Sequence, residues 1–201
     1  MKILVIGATG TIGSAVAKAL EARHEVLLAS HAQSALAVDL ADPESIRRLY
    51  AKVGGVDAVV SAAGQANFRP LLALSDADFT VGLTNKLMGQ VNLVRFGVEL
   101  LADGGSFTLT TGILSRQPML GGAAISMVNA GLEGFVRAAA LELPRGLRLN
   151  AVAPGWVRET LVAMKMDPSP GLPAAQVARA YLRAVEGSMT GQILDAVAGA
   201  G

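Results

Sequence analysis

The hydrophobic pattern of the chain alternates between two kinds of segment. Short runs rich in Val, Ile and Leu are followed by longer segments with apolar residues at helical spacing. Most of the short runs are apolar throughout, which is typical of parallel strands covered by helices on both faces. The pattern predicts strands over Lys2–Ile6, Glu25–Ala29, Ala35–Asp39, Ala58–Ser61, Gly105–Thr111, Arg148–Val152 and Gln192–Ala196. It predicts helices over Thr11–Ala22, Pro43–Val53, Met88–Leu101, Gly121–Leu143 and Ala174–Glu186.

Three local signals refine this pattern. Asp42 precedes Pro43, and an N-cap residue followed by proline at the first helical position is a well-formed helix start. Ser75 and Asp78 are spaced as in a capping box, with Asp in place of the more usual Glu or Gln. Only about five residues, Ser30–Ser34, separate the second and third predicted strands, whereas a parallel crossover needs about a dozen or more. Either a short loop makes this crossover without a helix, or one of the two strands is misassigned.

A glycine-rich turn lies between the first predicted strand and the first predicted helix. It reads Gly7-Ala8-Thr9-Gly10-Thr11-Ile12-Gly13. Glycines at such a turn let the backbone approach a pyrophosphate closely, and the helix N-terminus offers unpaired N–H groups to the phosphates. The spacing is GxxGxxG rather than the commoner GxGxxG. The alternative is a strand-to-helix turn without a ligand, but the strand-turn-helix context favours dinucleotide binding.

The composition restricts the functions that are open to the chain. Hydrophobic residues make up 52% of the 201 residues and charged residues 16%, which is typical of a folded domain with a large buried fraction. No stretch reaches the roughly 18 uninterrupted apolar residues of a membrane-spanning helix. The net charge of +1 and the 4% aromatic content argue against a nucleic-acid partner. With no cysteine and two histidines, we expect no metal site. We expect one domain over residues 1–201 and a cytoplasmic location.

Six further segments follow the glycine turn in an order that resembles the short-chain dehydrogenase/reductase family. They are Val38–Leu40, Ser61–Gly64, Phe79–Gly89 with Asn85, Gly105–Thr111, Asn150–Val157 with Thr160, and Thr190–Asp195. The resemblance covers nearly the whole chain. It implies a Rossmann-like α/β fold, a doubly wound parallel sheet of about seven strands in the order 3-2-1-4-5-6-7 within a three-layer αβα sandwich. It also implies an NADP- or NAD-dependent oxidoreductase that assembles as a homodimer or homotetramer.

The positions that carry catalysis in this family are changed here. In the family a Tyr donates a proton to the carbonyl oxygen, a Lys four residues later lowers the pKa of that Tyr, and a Ser about thirteen residues earlier orients the carbonyl. Aligning residues 130–134 on the family helix places Ile125 at the Tyr, Asn129 at the Lys and Gly112 at the Ser, and only Asn85 is retained. The only tyrosines, Tyr50 and Tyr181, lie elsewhere in the sequence.

Three polar residues are therefore candidates for a nonstandard catalytic set: Asn85, Lys86 and Thr111. Thr111 could orient a carbonyl by hydrogen bonding. Lys86 can donate a proton only if it faces the cleft and burial lowers its pKa. The alternatives are a solvated helix lysine and a threonine that ends a strand. Asn129 could still hydrogen-bond a ribose hydroxyl where the family has its lysine.

The end of the second strand bears on the choice of dinucleotide. It reads Leu28-Ala29-Ser30-His31 and has no carboxylate to repel a 2′-phosphate. Ser30 can donate to that phosphate, and His31 occupies a place where NADP-preferring relatives often have Arg; the alternative is an ordinary loop histidine. We therefore expect NADP(H), with NAD as the alternative. The residues expected to bind the cofactor are Gly7, Thr9, Gly10, Thr11, Ile12, Gly13, Ser30, His31, Asp39, Leu40, Ala62, Ala63, Gly64, Asn129, Pro154, Gly155 and Val157.

Two functional hypotheses remain open from the sequence. The first is an NADP(H)-dependent oxidoreductase that acts on a small carbonyl compound or alcohol with a nonstandard active site. The second is a dinucleotide-binding protein without turnover that serves as a redox sensor or a structural partner. The resemblance favours the first hypothesis and the changed catalytic positions favour the second.

Overall fold

A single parallel β-sheet organises the protein. The computed structural model describes residues 1–31 and 35–197. The strand order is β3-β2-β1-β4-β5-β6-β7, and all neighbouring strands are parallel, as predicted. The strands are β1 Lys2–Ile6, β2 Glu25–Ser30, β3 Leu36–Ala37, β4 Val56–Ser61, β5 Leu101–Thr110, β6 Arg148–Pro154 and β7 Ile193–Ala196. The carboxyl ends of the strands therefore meet at one edge of the sheet, where open α/β sheets bind their ligands.

Helices cover both faces of this sheet. They are α1 Thr11–Glu21, α2 Pro43–Val53, α3 Asp76–Val81, α4 Gly89–Gly97, α5 Ala123–Ala139, α6 Arg158–Ala163 and α7 Ala174–Glu186. Side chains alternate between the faces along a strand, so Leu4 and Ile6 of β1 pack in one core layer, and Ile3 and Val5 pack in the other. The first layer contains residues of α2, α4 and α5, and the second contains residues of α1 and α7. The predicted doubly wound αβα arrangement is thus confirmed.

The parallel crossover from β2 to β3 is only five residues long, from residue 31 to residue 35. β3 pairs in parallel with β2, with Ala29 opposite Leu36 and Ser30 opposite Ala37. Both strands were therefore assigned correctly, and the short-loop alternative holds. The predicted third strand, Ala35–Asp39, was too long, because only two of its residues form the ladder. Residues 32–34 of the predicted loop Ser30–Ser34 lie outside the described residues.

The predicted helix Met88–Leu101 was wrong at both ends. A π-helical segment, Gly82–Met88, precedes α4, and Leu101 opens β5 by pairing with Val56 of β4. The apolar run at the end of this helix suits a helix and a strand equally, and pairing with a distant strand decides between them. The predicted strand Gly105–Thr111 accordingly starts too late.

Helix α5 is shorter than the predicted Gly121–Leu143, and two helices, α3 and α6, have no counterpart among the predicted helix ranges. Gly121 has a φ of +81°, which is not helical, and Leu143 precedes Pro144, which disfavours a helical conformation at the preceding residue. The short helix α6 was not predicted. None of the helices in the described part of the chain has the length and apolar content of a membrane-spanning segment. Within the same residues, no cluster of acidic and histidine side chains is arranged to hold a metal ion.

Both predicted helix starts are confirmed. The side chain of Asp42 accepts a hydrogen bond from the backbone N–H of Glu44 at 2.9 Å. Ser75 and Asp78 form a reciprocal capping box, because the backbone N–H of each donates to the side chain of the other. The backbone N–H and the hydroxyl of Ser75 both donate to the Asp78 carboxylate, and they hold the pKa of Asp78 below its usual value. The box fixes the start of α3, which leads into the π-helical segment.

Candidate active site

The glycine turn after β1 forms a tightly packed loop at the carboxyl edge of the sheet. Gly7 has a φ of +83°, and its backbone N–H donates to the carbonyl oxygen of Ala29 at 2.8 Å. A Cβ on Gly13 would lie 2.0 Å from the Gly7 carbonyl oxygen, so helix α1 can approach the loop this closely only with glycine there. No side chain caps the N-terminus of α1. The N–H groups of its first turn are therefore available to an anion.

A first cavity of about 230 Å³ opens beside this loop. Many of the residues predicted to bind a cofactor line this cavity. Four further lining residues, for which the sequence predicted no cofactor contact, are Ile6, Val38, Gln65 and Asn85. His31 lies on its rim with an exposed side chain, and its Nε2 is 3.9 Å from the Asp39 carboxylate. The lining residues are Ile6, Gly7, Thr9, Gly10, Ser30, His31, Val38, Leu40, Ala62, Ala63, Gln65 and Asn85.

A second cavity of about 170 Å³ brings together Gly112, Ile125 and Asn129, the three residues that the sequence analysis aligned with the family's catalytic positions. Most of its wall is apolar, and the protein's single tryptophan forms part of it. Ile113 and Leu114 are wall residues that the sequence did not single out. The lining residues are Lys86, Thr111, Gly112, Ile113, Leu114, Ile125, Asn129, Pro154, Gly155 and Trp156.

The remaining predicted cofactor residues do not line either cavity. Thr11, Ile12 and Gly13 form the first turn of α1, and Gly64 packs against Lys86. Val157 is buried in the core layer that contains α7.

The π-helical segment positions two adjacent candidate residues at different cavities. Asn85 lines the first cavity, and its Oδ1 accepts a hydrogen bond from the backbone N–H of Gln65 at 2.8 Å. Lys86 lines the second cavity. A π-turn widens the helix by one residue and is frequent at functional sites. Consecutive side chains of this segment therefore serve two different walls of the cleft.

The amine of Lys86 is partly buried and weakly hydrogen-bonded. Its Nζ donates to the carbonyl oxygen of Thr111 at 3.4 Å. Burial in low-dielectric surroundings lowers the pKa of Lys86 to about 8. No carboxylate of the described chain is paired with this amine to offset the loss of water. Lys86 thus meets both conditions for a proton donor, because it faces the cleft and burial has lowered its pKa.

Asn129 and Gly112 occupy neighbouring positions in the second cavity. The side-chain amide of Asn129 donates to the Gly112 carbonyl oxygen at 3.4 Å, and a Cβ on Gly112 would lie 2.8 Å from that amide nitrogen. The glycine therefore makes room for the asparagine. Asn129 Oδ1 is buried and has no hydrogen-bond partner among the described residues. An unsatisfied buried acceptor is costly, and a hydrogen bond from a ligand hydroxyl would satisfy it.

A buried carboxylate behind the second cavity was missed in the sequence. Glu133 lies one helical turn after Asn129, and its Oε1 accepts a hydrogen bond from Ser115 Oγ at 2.5 Å. Thr111 Oγ1 donates to the Asn129 carbonyl oxygen at 3.1 Å and also lies 3.5 Å from Glu133 Oε1. Arg137 pairs with the other carboxylate oxygen at 3.2 Å. The Thr111 hydroxyl is therefore directed toward α5 rather than toward a ligand. Glu133 could have been found in the sequence from its (i, i+4) spacing to Asn129, which places both residues on the same face of the helix.

Both tyrosines belong to the core. Tyr50 donates its hydroxyl to the Leu93 carbonyl oxygen at 2.7 Å, and the Tyr181 hydroxyl lies 2.6 Å from Thr110 Oγ1. Desolvation raises the pKa of both phenols well above the usual value. Neither side chain lines the second cavity.

These features fit a dinucleotide. The glycine loop leaves no room for a Cβ, the uncapped start of α1 presents free N–H groups, and Asn129 has an unsatisfied acceptor at the second cavity. The pyrophosphate would lie on the loop, with one nucleoside toward each cavity.

Comparisons with known proteins agree with this geometry. A family profile described as "Enoyl-(Acyl carrier protein) reductase" matches residues 7–193. Carbonyl reductase family member 4 of Danio rerio is 28% identical over an alignment 223 positions long, which covers 95% of this chain and 94% of the relative. The alignments with a hydroxynaphthalene reductase of Aspergillus fumigatus and with the oxidoreductase UcpA of Escherichia coli span only about half of each relative's length.

Two solved structures are similar over nearly the whole chain. The protein lin1944 from Listeria innocua has a TM-score of 0.93 and 43% identity, covering 97% of this chain and 98% of that one. A small-chain dehydrogenase solved in complex with NADPH has a TM-score of 0.86 and 29% identity, covering 97% and 95%. The sheet order, the glycine loop and these matches together show that the chain is an oxidoreductase of the short-chain dehydrogenase/reductase family.

Proposed function

We propose that the protein is an NADP(H)-dependent oxidoreductase for small carbonyl compounds or the corresponding alcohols, in which Lys86 replaces the family's tyrosine as proton donor. The observation that carries the proposal is the Lys86 amine, which lines the second cavity and has its pKa lowered to about 8 by burial. The lining of this cavity includes no tyrosine. The NADPH complex of a similar dehydrogenase supports the choice of coenzyme.

Each of the two cavities would bind a different part of NADP(H). The loop Gly7–Gly13 would hold the pyrophosphate, and Ser30 with His31 would contact the 2′-phosphate. Asn129 would hydrogen-bond the nicotinamide ribose, and Pro154–Gly155 would lie beside the nicotinamide. When bound, the nicotinamide supplies or accepts the hydride.

Lys86 would be the proton donor at the second cavity. Ile125 and Gly112, at the family Tyr and Ser positions, have no side-chain group that donates a hydrogen bond. Lys86 in its ammonium form donates a proton from Nζ to the carbonyl oxygen, and it accepts that proton back in the reverse direction. Before a carbonyl compound binds, the Lys86 amine donates a long hydrogen bond of 3.4 Å to the Thr111 carbonyl oxygen. Asn85 accepts a hydrogen bond from the backbone N–H of Gln65.

The alternative is a dinucleotide-binding protein without turnover that acts as a redox sensor or structural partner. Ile125 and Asn129, which line the cavity at the positions of the family Tyr and Lys, support it. In either case the protein would assemble as a homodimer or homotetramer. Two exposed methionines support such packing. Met88 ends the π-helical segment before α4, and Met127 lies in α5.

Turnover and coenzyme binding separate the two functions. NADPH oxidation is followed with a panel of small ketones and aldehydes between pH 6 and 10, and coenzyme binding is followed by the fluorescence of Trp156. Because Lys86 acts in its protonated form, kcat/KM should fall as the pH rises through about 8. Lys86→Met should lower kcat by about 100-fold or more while NADPH still binds. Lys18→Met, on the exposed face of α1, is the matched control.

The outcomes are distinct. A Lys86→Met enzyme with the wild-type rate and pH profile would refute the role of Lys86. Saturable NADPH binding without turnover of any compound in the panel would favour the sensor or structural alternative.

A further inference from the structure

The second cavity surrounds an amine that is unusually suited to attack a carbonyl carbon. Ile113, Leu114, Ile125 and Trp156 form an apolar wall around the chamber that Lys86 lines. Amines in apolar surroundings lose their proton more easily, and the neutral form is the nucleophile that forms Schiff bases with carbonyl compounds.

The lysine side chain is also held in place. A Cβ on Gly64 would lie 2.9 Å from Lys86 Cγ and 3.3 Å from its Cα and Cβ, so the aliphatic stem packs directly on the Gly64 backbone. At the other end, the hydrogen bond from Nζ to the Thr111 carbonyl oxygen is long, at 3.4 Å. The stem is therefore fixed, while the amine is free to exchange a weak partner for a ligand.

We propose that Lys86, in its neutral form, binds small uncharged aldehydes and ketones covalently as an imine within the second cavity. Nζ attacks the carbonyl carbon, a C–N bond forms and the C=O π bond breaks. A proton then moves from the nitrogen to the alkoxide oxygen, which gives a carbinolamine. The hydroxyl group takes up a proton from solvent and leaves as water when the C–O bond breaks. The product is a protonated imine on Lys86, and the sequence involves no oxidation or reduction.

The protonation state of the amine separates this activity from the proposed proton donation. Proton donation needs the ammonium form and weakens as the pH rises, whereas imine formation needs the neutral amine and strengthens as the pH rises. With a pKa of about 8, roughly a quarter of the Lys86 amine is neutral at pH 7.5, against about one in a thousand for an ordinary lysine. The lower basicity of the Lys86 amine reduces its intrinsic nucleophilicity by roughly tenfold. Lys86 should therefore still form imines about tenfold or more faster than an ordinary lysine at pH 7.5.

Reductive trapping tests the proposal without coenzyme or turnover. The purified full chain is incubated with butanone or benzaldehyde between pH 6 and 9, and sodium borohydride then adds a hydride to any imine to give a stable secondary amine. Peptide mass spectrometry locates the adduct among Lys86 and the other four lysines, Lys2, Lys18, Lys52 and Lys165.

We expect labelling of Lys86 to exceed that of each other lysine by about tenfold or more at pH 7.5 and to level off above about pH 8. Lys86→Arg should abolish the dominant adduct, and Lys18→Arg should leave it unchanged. Equal labelling of all five lysines in the wild-type protein would overturn the proposal, and that result does not depend on a variant that folds. Because no NADPH is present, loss of turnover in the earlier experiment would leave this result unaffected.

Discussion

Replacing Gly13 with alanine tests the interpretation of the glycine loop as a coenzyme cradle. The added Cβ would lie 2.0 Å from the carbonyl oxygen of Gly7, 2.7 Å from its carbonyl carbon and 3.2 Å from the Cα of Ala8. All three atoms belong to the backbone, so no side chain can rotate away. The contact with the Gly7 oxygen must lengthen by about 1 Å to reach the shortest separation that real Cβ atoms show.

This displacement sets the expected magnitudes. Overpacking against a closely packed backbone costs about 2–3 kcal/mol, and for a chain of this size it should lower Tm by roughly 4–12 °C. The same shift moves the N–H groups at the start of α1 away from the phosphates. Loss of one hydrogen bond to a charged group weakens NADPH binding by about tenfold or more.

Calorimetry of thermal unfolding and of NADPH binding measures both effects. Gly134→Ala is the matched control, because a Cβ there would meet nothing within 4 Å in the middle of α5. Alanine is the better helix former, so this variant should gain up to about 1 kcal/mol and bind NADPH normally. If Gly13→Ala kept the wild-type Tm and NADPH affinity, the loop would not be packed as described and would not be the phosphate site.

Three further substitutions test separate parts of the structure. His31→Gln should weaken NADPH binding by about fivefold to tenfold and leave NADH binding unchanged in fluorescence titrations, because His31 is the one described residue lining the first cavity that can carry a positive charge. Asp78→Asn should remove a pH dependence from urea unfolding. The hydrogen bonds from Ser75 lower the pKa of Asp78, so the stability it adds is lost as the pH falls below about 4 toward that lowered value. Tyr181→Phe removes the hydrogen bond to Thr110 and should cost about 1 kcal/mol in chemical unfolding; unchanged stability would contradict the hydrogen bond.

Local patterns predicted the sheet and the coenzyme loop because they depend on neighbouring residues. Buried parallel strands need apolar side chains on both faces, and the run Ile3–Ile6 has them. The glycine spacing of Gly7–Gly13 and the caps at Asp42 and Ser75 involve residues two to six positions apart. The sequence therefore displays them directly, and the strand order followed from the resemblance that these motifs carried.

The tertiary structure decided what depends on distant partners. Leu101 is a strand residue because it pairs with Val56, and no local pattern distinguishes that pairing from another helical turn. Which cavities Asn85 and Lys86 line depends on the distant segments packed around their helix, and no local pattern indicates those segments.

The lowered pKa of Lys86 also belongs to the folded state. Its pKa is lowered because separate segments of the chain, around residues 64, 111–114, 125–129 and 154–156, exclude water from one amine. The sequence determined that a lysine is at position 86 and that no tyrosine lies within residues 112–129. Only folding removed water from that lysine, because desolvation depends on every group that surrounds the amine in space.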